Sequence, residues 1–174
     1  TQIEILKKEF LSQGVTAQSL WSRGGYTTGF ELFKKFLRII FGKKMIPVGR
    51  SKEKQKAMSN SFIRYLWLTI AMLDLIFLYA IIIRIKSFLG KVIICDRYLG
   101  DTYIDFSLNF PKSNFNKMWL WKLLTATLPK PDFCFLFTLS VENSIYRSNL
   151  KNEPFPDSKE VLQQRLDMYK LSAL

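Results

Sequence analysis

The sequence predicts an α/β fold, a parallel sheet flanked by helices, and two kinds of observation point there. Val92 to Cys95 and the run FCFLFTL at 133–139 are apolar without alternation, the pattern of strands covered on both faces. The chain also reads in the order helix, strand, helices, strand, helices, strand, helices, as α/β proteins do. Its 174 residues suit one ordinary domain, spanning 1–174.

At the start of the chain, TQIEILKKEFLSQG places Ile3, Leu6, Phe10 and Leu11 on one helical face, with Gly14 as the stop. Val15 to Trp21 reads as a short strand ending in the turn Ser22-Arg23-Gly24-Gly25-Tyr26. Phe30 to Phe41 is a basic amphipathic helix, and Lys43 to Lys56 a polar, charge-rich loop or insert. Ser59 to Phe88 is a long helix, followed by the strand Lys91 to Cys95 and a helix from about Gly100 to Asn109. Ser113 can cap a helix through Leu128, stopped by Pro129 and Pro131. After the strand 133–139 come a helix from Val141 to Asn149, a loop from Leu150 to Pro156, and a last helix opened by Asp157 with Glu160.

Composition narrows the function. Hydrophobic residues make up 48% of the chain, too many for disorder. The formal net charge of +12 favours an anionic partner: nucleotide phosphate, nucleic acid or acidic lipid. Charge alone fits a merely basic soluble protein equally well. The absence of histidine excludes every His-dependent triad, acid–base pair or metal site. Cys95 and Cys134 sit inside predicted buried strands and read as reduced core thiols of a cytoplasmic protein, in keeping with an N-terminus that lacks an apolar signal region. No RNP-type aromatic pattern appears, so nucleic acid is not the expected partner.

A membrane span is the rival. Leu66 to Ile83 is apolar apart from Asp74 and Thr69, between Arg64 and Arg84 with Lys86. At 1.5 Å per residue it would extend roughly 27 Å, against ~30 Å of hydrocarbon. Its direct lead into a buried strand ending in polar residues disfavours the span, because a helix inside a sheet–helix sandwich can be apolar all round.

The chemistry concentrates where the strand meets Asp96-Arg97-Tyr98. Parallel sheets hold ligands beyond the carboxyl ends of their strands. A rigidly held carboxylate there can serve Mg²⁺ with hard oxygen, and Arg97 offers a planar fork to a phosphate. On a following helix Asp101 and Asp105 would share one face, four residues apart. Asp96 and Arg97 could also simply cap the strand or pair together. Arg147, Lys151 and Arg165 form a second cationic cluster, suited to a lid over phosphates and equally to a solvated surface.

Together these segments resemble the thymidylate kinase family of P-loop nucleoside monophosphate kinases. The resemblance rests on Val92 to Tyr98 as the apolar run with Asp-Arg-Tyr, Pro131-Asp132 before FCFLFTL, and Arg147 through Tyr169 as lid (about 147–157) and following helix. Thr1-Gln2-Ile3 also resembles what that family has directly after its phosphate loop, Gly-Lys-Thr-Thr-Gln. The resemblance implies ATP- and Mg²⁺-dependent phosphoryl transfer to a nucleoside monophosphate, dTMP first, in nucleotide biosynthesis. It implies Asp96 at the metal and phosphates, Arg97 on the acceptor monophosphate, and Arg147, Lys151 and Arg165 toward the donor phosphates. Arg23, Tyr98, Asp101 and Asp74 would line the acceptor site. Homodimerisation is left open.

The sequence departs from the family's pattern in several places. Nowhere does it contain Gly-x-x-x-x-Gly-Lys-[Ser/Thr], the loop that cradles donor phosphates. The expectation is a partial P-loop kinase-like domain, with first and last strands missing, inactive as it stands and poorly stable alone. Asp74 is followed by Leu75 where the family has Arg, SRGGYT lacks the family's acid, and Asp101 and Asp105-Phe106 replace Ser and Tyr-Gln.

Overall fold

Gly14 turns the chain out of α1 (Gln2–Ser12) with a φ of 77°, a conformation that costs glycine little because it has no Cβ. The computed structural model describes residues 2–22, 59–152 and 156–172. The expected helix 30–41, the insert 43–56 and Arg23 lie outside the described residues. No residue of α1 is buried, so its predicted apolar face is only partly used.

β1 (Ala17–Trp21) pairs in parallel with β2 (Val92–Asp96), from Ala17 opposite Val92 to Trp21 opposite Asp96. This two-stranded sheet is the only one among the described residues. Side chains alternate across it: Leu20, Ile93 and Cys95 pack on the helical core. Val92 to Cys95 are therefore half-buried, where the sequence predicts cover on both faces.

Asn60 opens α2 (Ser61–Ile76) by accepting from the backbone N–H of Phe62 at 2.9 Å and of Ile63 at 3.4 Å. The same helix continues through a π-helical stretch, Phe77–Ile83, into α3 (Arg84–Phe88). Leu68, Met72, Leu75 and Tyr79 point inward along it and are fully buried. They meet Phe106 and Phe110 of α4 (Leu99–Asn109), Phe115 in a short 3₁₀ turn, and Leu120, Trp121 and Leu124 of α5 (Trp119–Thr127). Phe106, Phe115 and Trp121 contact one another at 5.0–6.2 Å, edge-on at Phe115 and tilted between Phe106 and Trp121, within the favoured aromatic geometry. Burying each such side chain contributes about 1.5–3 kcal/mol.

Three expectations need correcting. The run 133–139 joins no strand ladder among the described residues and is exposed throughout, with Phe133, Phe135 and Phe137 at 82%, 74% and 75%. An apolar run becomes a strand only where its backbone finds a partner edge, and no described strand lies beside it. Cys134 is consequently exposed rather than a core thiol. Ser113 does not cap a helix: its hydroxyl donates back to the Phe110 carbonyl, and α5 starts six residues later.

α6 (Val141–Leu150) is capped by Ser140, whose Oγ accepts from Asn143 N–H. α7 (Lys159–Ser172) begins after Ser158, whose Oγ accepts from Val161 N–H at 3.4 Å. Ser158 thus takes the capping place predicted for Asp157, which is engaged elsewhere. α7 packs against both α4 and α6.

Candidate functional site

The end of β2 passes directly into α4, and the change of direction falls on Arg97. Its φ is 76°, left-handed, a region that strains residues carrying a Cβ. Hydrogen bonds fix the backbone on both sides. Ser22 N–H donates to the Asp96 carbonyl at 3.3 Å and Ser22 Oγ to the Arg97 carbonyl at 3.1 Å. Tyr98 N–H donates to Asp101 Oδ2 at 3.0 Å, which closes the first turn of α4. Asp101 also stands where the helix dipole favours an acid.

Behind this turn lies a buried hydroxyl cluster. Tyr79 Oη lies 2.6 Å from Ser22 Oγ, and both residues are fully buried. Because Ser22 gives its proton to Arg97, Tyr79 is the donor to Ser22. Burial pushes the Tyr79 phenol up to about 12, the Ser22 hydrogen bond opposing, so it remains a donor near neutrality. The Tyr98 ring packs against Tyr79 at 4.7 Å, and its hydroxyl donates to the Pro129 carbonyl at 2.7 Å. Burial also raises the Tyr98 phenol.

On the outer side an ion network joins α4 to α7. Asp105, with 6% of its side chain exposed, accepts from Arg165 at 2.6 Å, and Arg97 Nη1 lies 3.8 Å from its second oxygen. Arg165 Nη2 reaches Asp157 at 3.8 Å. Burial pulls the Arg165 guanidinium down, but the Asp105 and Asp157 carboxylates outweigh it and hold it raised. One turn away Tyr169 Oη donates to Asp101 Oδ1. Burial, then that carboxylate, lifts the Tyr169 phenol to about 12. Asp101 and Asp105 thus share a face, as their spacing predicts, and meet Tyr169 and Arg165, likewise four apart on α7.

The predicted residues divide accordingly. Arg97 and Arg165 meet at Asp105, Asp101 holds Tyr169 one turn away, and Tyr98 borders both through its backbone N–H to Asp101. Asp96 is exposed at the strand end. Arg147 is exposed on α6 and Lys151 on its C-terminal cap. Among the described residues no hydrogen bond or ion pair joins either to Arg97. Asp74 is half-buried on α2. Ser22 and Tyr79 were not legible as site residues, although a lone phenol in the apolar run 75–83 signals a buried polar partner.

Among the described residues no three His, Cys, Asp or Glu side chains are grouped to hold a metal ion. The arrangement offers a half-exposed guanidinium, whose carboxylate partner among the described residues is the loose contact to Asp105, beside an exposed acid at a strand end. Such a pair can take an anion that carries its own hydrated cation. Compared with family models, curated proteins and solved structures, the chain matches none.

Proposed function

We propose that the β2–α4 junction binds the phosphate of a nucleoside monophosphate. On this reading the protein is a cytoplasmic nucleotide kinase of the thymidylate kinase type, in a P-loop kinase-like α/β fold. It would transfer the ATP γ-phosphoryl group to that acceptor, dTMP being the first candidate. One observation carries the reading: Arg97 is held in a strained backbone at the carboxyl end of a parallel strand, with part of its fork open. Ligands of open α/β sheets bind at that end, and an arginine fork matches phosphate.

Asp96 fits the magnesium expectation in one respect. Mg²⁺ keeps several waters and needs only one or two carboxylates when phosphates supply the rest. It would neutralise phosphate charge there. The chain's own part is to position and neutralise: Arg97 holds the acceptor, and Asp105 and Arg165 fix the surface beside it. Arg147 and Lys151, exposed on and after α6, are the cations on hand for a donor. The sequence lacks the glycine-rich phosphate loop, so these residues alone should bind nucleotide without efficient transfer.

The test is calorimetric titration of the folded chain with dTMP, other nucleoside monophosphates and MgATP, repeated with Arg97→Ala. Hydrogen bonds to charged groups are worth about 1.5–3 kcal/mol, so Arg97→Ala should weaken acceptor binding at least about tenfold. Absence of any nucleotide binding by the folded chain would end this reading.

One observation favours a second reading, membrane association. A single helix among the described residues, Ser61–Phe88, is long and apolar enough to cross a membrane. Phe62, Leu66, Leu73, Phe77, Ile81 and Ile85 are exposed along it. Its other face is core, which a lone span would not provide. Retention of the protein in membranes after alkaline carbonate washing would favour this reading, and release would remove it.

A further inference from the structure

Arg97 cannot hold its backbone unaided. Left-handed φ is uncommon for a residue with a long side chain and persists where surrounding contacts over-determine it. Here the contacts come from two distant parts of the chain. Ser22, directly after β1, donates its hydroxyl proton to the Arg97 carbonyl at 3.1 Å. Tyr79, in the π-helical stretch, lies 2.6 Å from the serine Oγ and supplies the proton that fixes the serine rotamer. Both are fully buried, so neither hydroxyl can exchange its partner for bulk water. π-Helical turns recur at functional sites, and this one carries the tyrosine that reaches the strand end.

We propose that Ser22, held by Tyr79, is a positioning residue that locks the Arg97 backbone left-handed and so aims its guanidinium at a phosphate bound beyond β2. The proposal rests on the phosphate-binding reading of the β2–α4 junction. Without the serine proton the Arg97 carbonyl loses its partner, and the peptide can relax toward negative φ. That rotation redirects the side chain, because φ sets where Cβ points. Ser22 never touches the anion. Its effect passes through Arg97 alone.

The test uses the full chain, with inorganic phosphate and dTMP as probes. Binding is measured by calorimetry and folding by circular dichroism, for Ser22→Ala, Ser22→Thr, Tyr79→Phe and Arg97→Ala. Ser22→Ala should weaken both probes about tenfold or more, and Tyr79→Phe by a smaller factor. Ser22→Thr, which keeps the hydroxyl, should restore affinity. If Ser22→Ala fails to fold, the milder Tyr79→Phe decides the matter, since it keeps the ring and removes only the donor. Arg97→Ala losing affinity while folded Ser22→Ala and Tyr79→Phe bind like wild type would overturn the positioning role and leave the phosphate reading intact. Arg97→Ala binding like wild type would overturn both.

Discussion

Replacing Asp105 with asparagine removes the charge that Arg165 and Arg97 share. Asp105 and Arg165 are 6% and 16% exposed, and their contact is 2.6 Å. Removing one partner of a buried pair costs about 3–5 kcal/mol, because the other charge stays buried and uncompensated. Arg165 keeps Asp157 at 3.8 Å, and Arg97 can turn to solvent, so the low end, about 3 kcal/mol, is expected. With a urea m-value of about 2 kcal/mol/M, typical of small proteins, the midpoint should fall by roughly 1.5 M. The double variant Asp105→Leu with Arg165→Met should lose less than Asp105→Asn, since it removes both members of the close buried pair and parts only the looser 3.8 Å contacts of Arg97 and Asp157. A midpoint within about 0.3 M of wild type for Asp105→Asn, at unchanged m, would refute the view that this pair fastens α7 to α4.

Alkaline stability should depend on Tyr79. Its folded value, about 12, lies above the ordinary 10, so its contribution is complete below pH 10 and lost as pH rises toward 12. At about 1.4 kcal/mol per unit this reaches roughly 2–3 kcal/mol. Tyr79→Phe should lack that loss when urea midpoints are compared at about pH 9 and about pH 11.5, on either side of the ordinary phenol value, and equal slopes would contradict it. Thiol labelling should separate the cysteines. Burial pushes Cys95 up to about 11 and Cys134 is exposed, so at about pH 8 a disulfide reagent should modify Cys134 first and Cys95 only on unfolding. The exposed run 133–139 should bind hydrophobic dye and drive self-association. Phe135→Lys should reduce both by sedimentation and fluorescence, with helix content unchanged.

The elements with strong local signals were legible. Gly14, the apolar stretch 61–88, the strand 92–95 and the helix after Tyr98 all lie where spacing and breakers place them. The shared face of Asp101 and Asp105 was equally plain, because it needs only helical periodicity. The run 133–139 shows the opposite case: apolar content says that a segment wants a slot, and only tertiary structure says whether one exists. Arg165 was readable as a cation, but its pairing with Asp105 spans 60 residues, and no local pattern encodes such a partner. Ser22 and Tyr79 were hidden for the same reason. Each looks ordinary in its own neighbourhood, and their meaning arises from meeting at Arg97.

The parallel pairing of β1 with β2 also bears on how the chain folds. Ser22 and Arg97, which meet at the end of that ladder, are 75 residues apart, whereas the helices from Leu99 to Thr127 adjoin one another in sequence. Closing so long a loop loses entropy before any ladder bond forms. Refolding should therefore show early helical signal, with the Ser22–Tyr79 contact made last. Arg97 would acquire its twisted backbone only in that closing step, which makes the mouth of the proposed anion site the latest part of the molecule to mature.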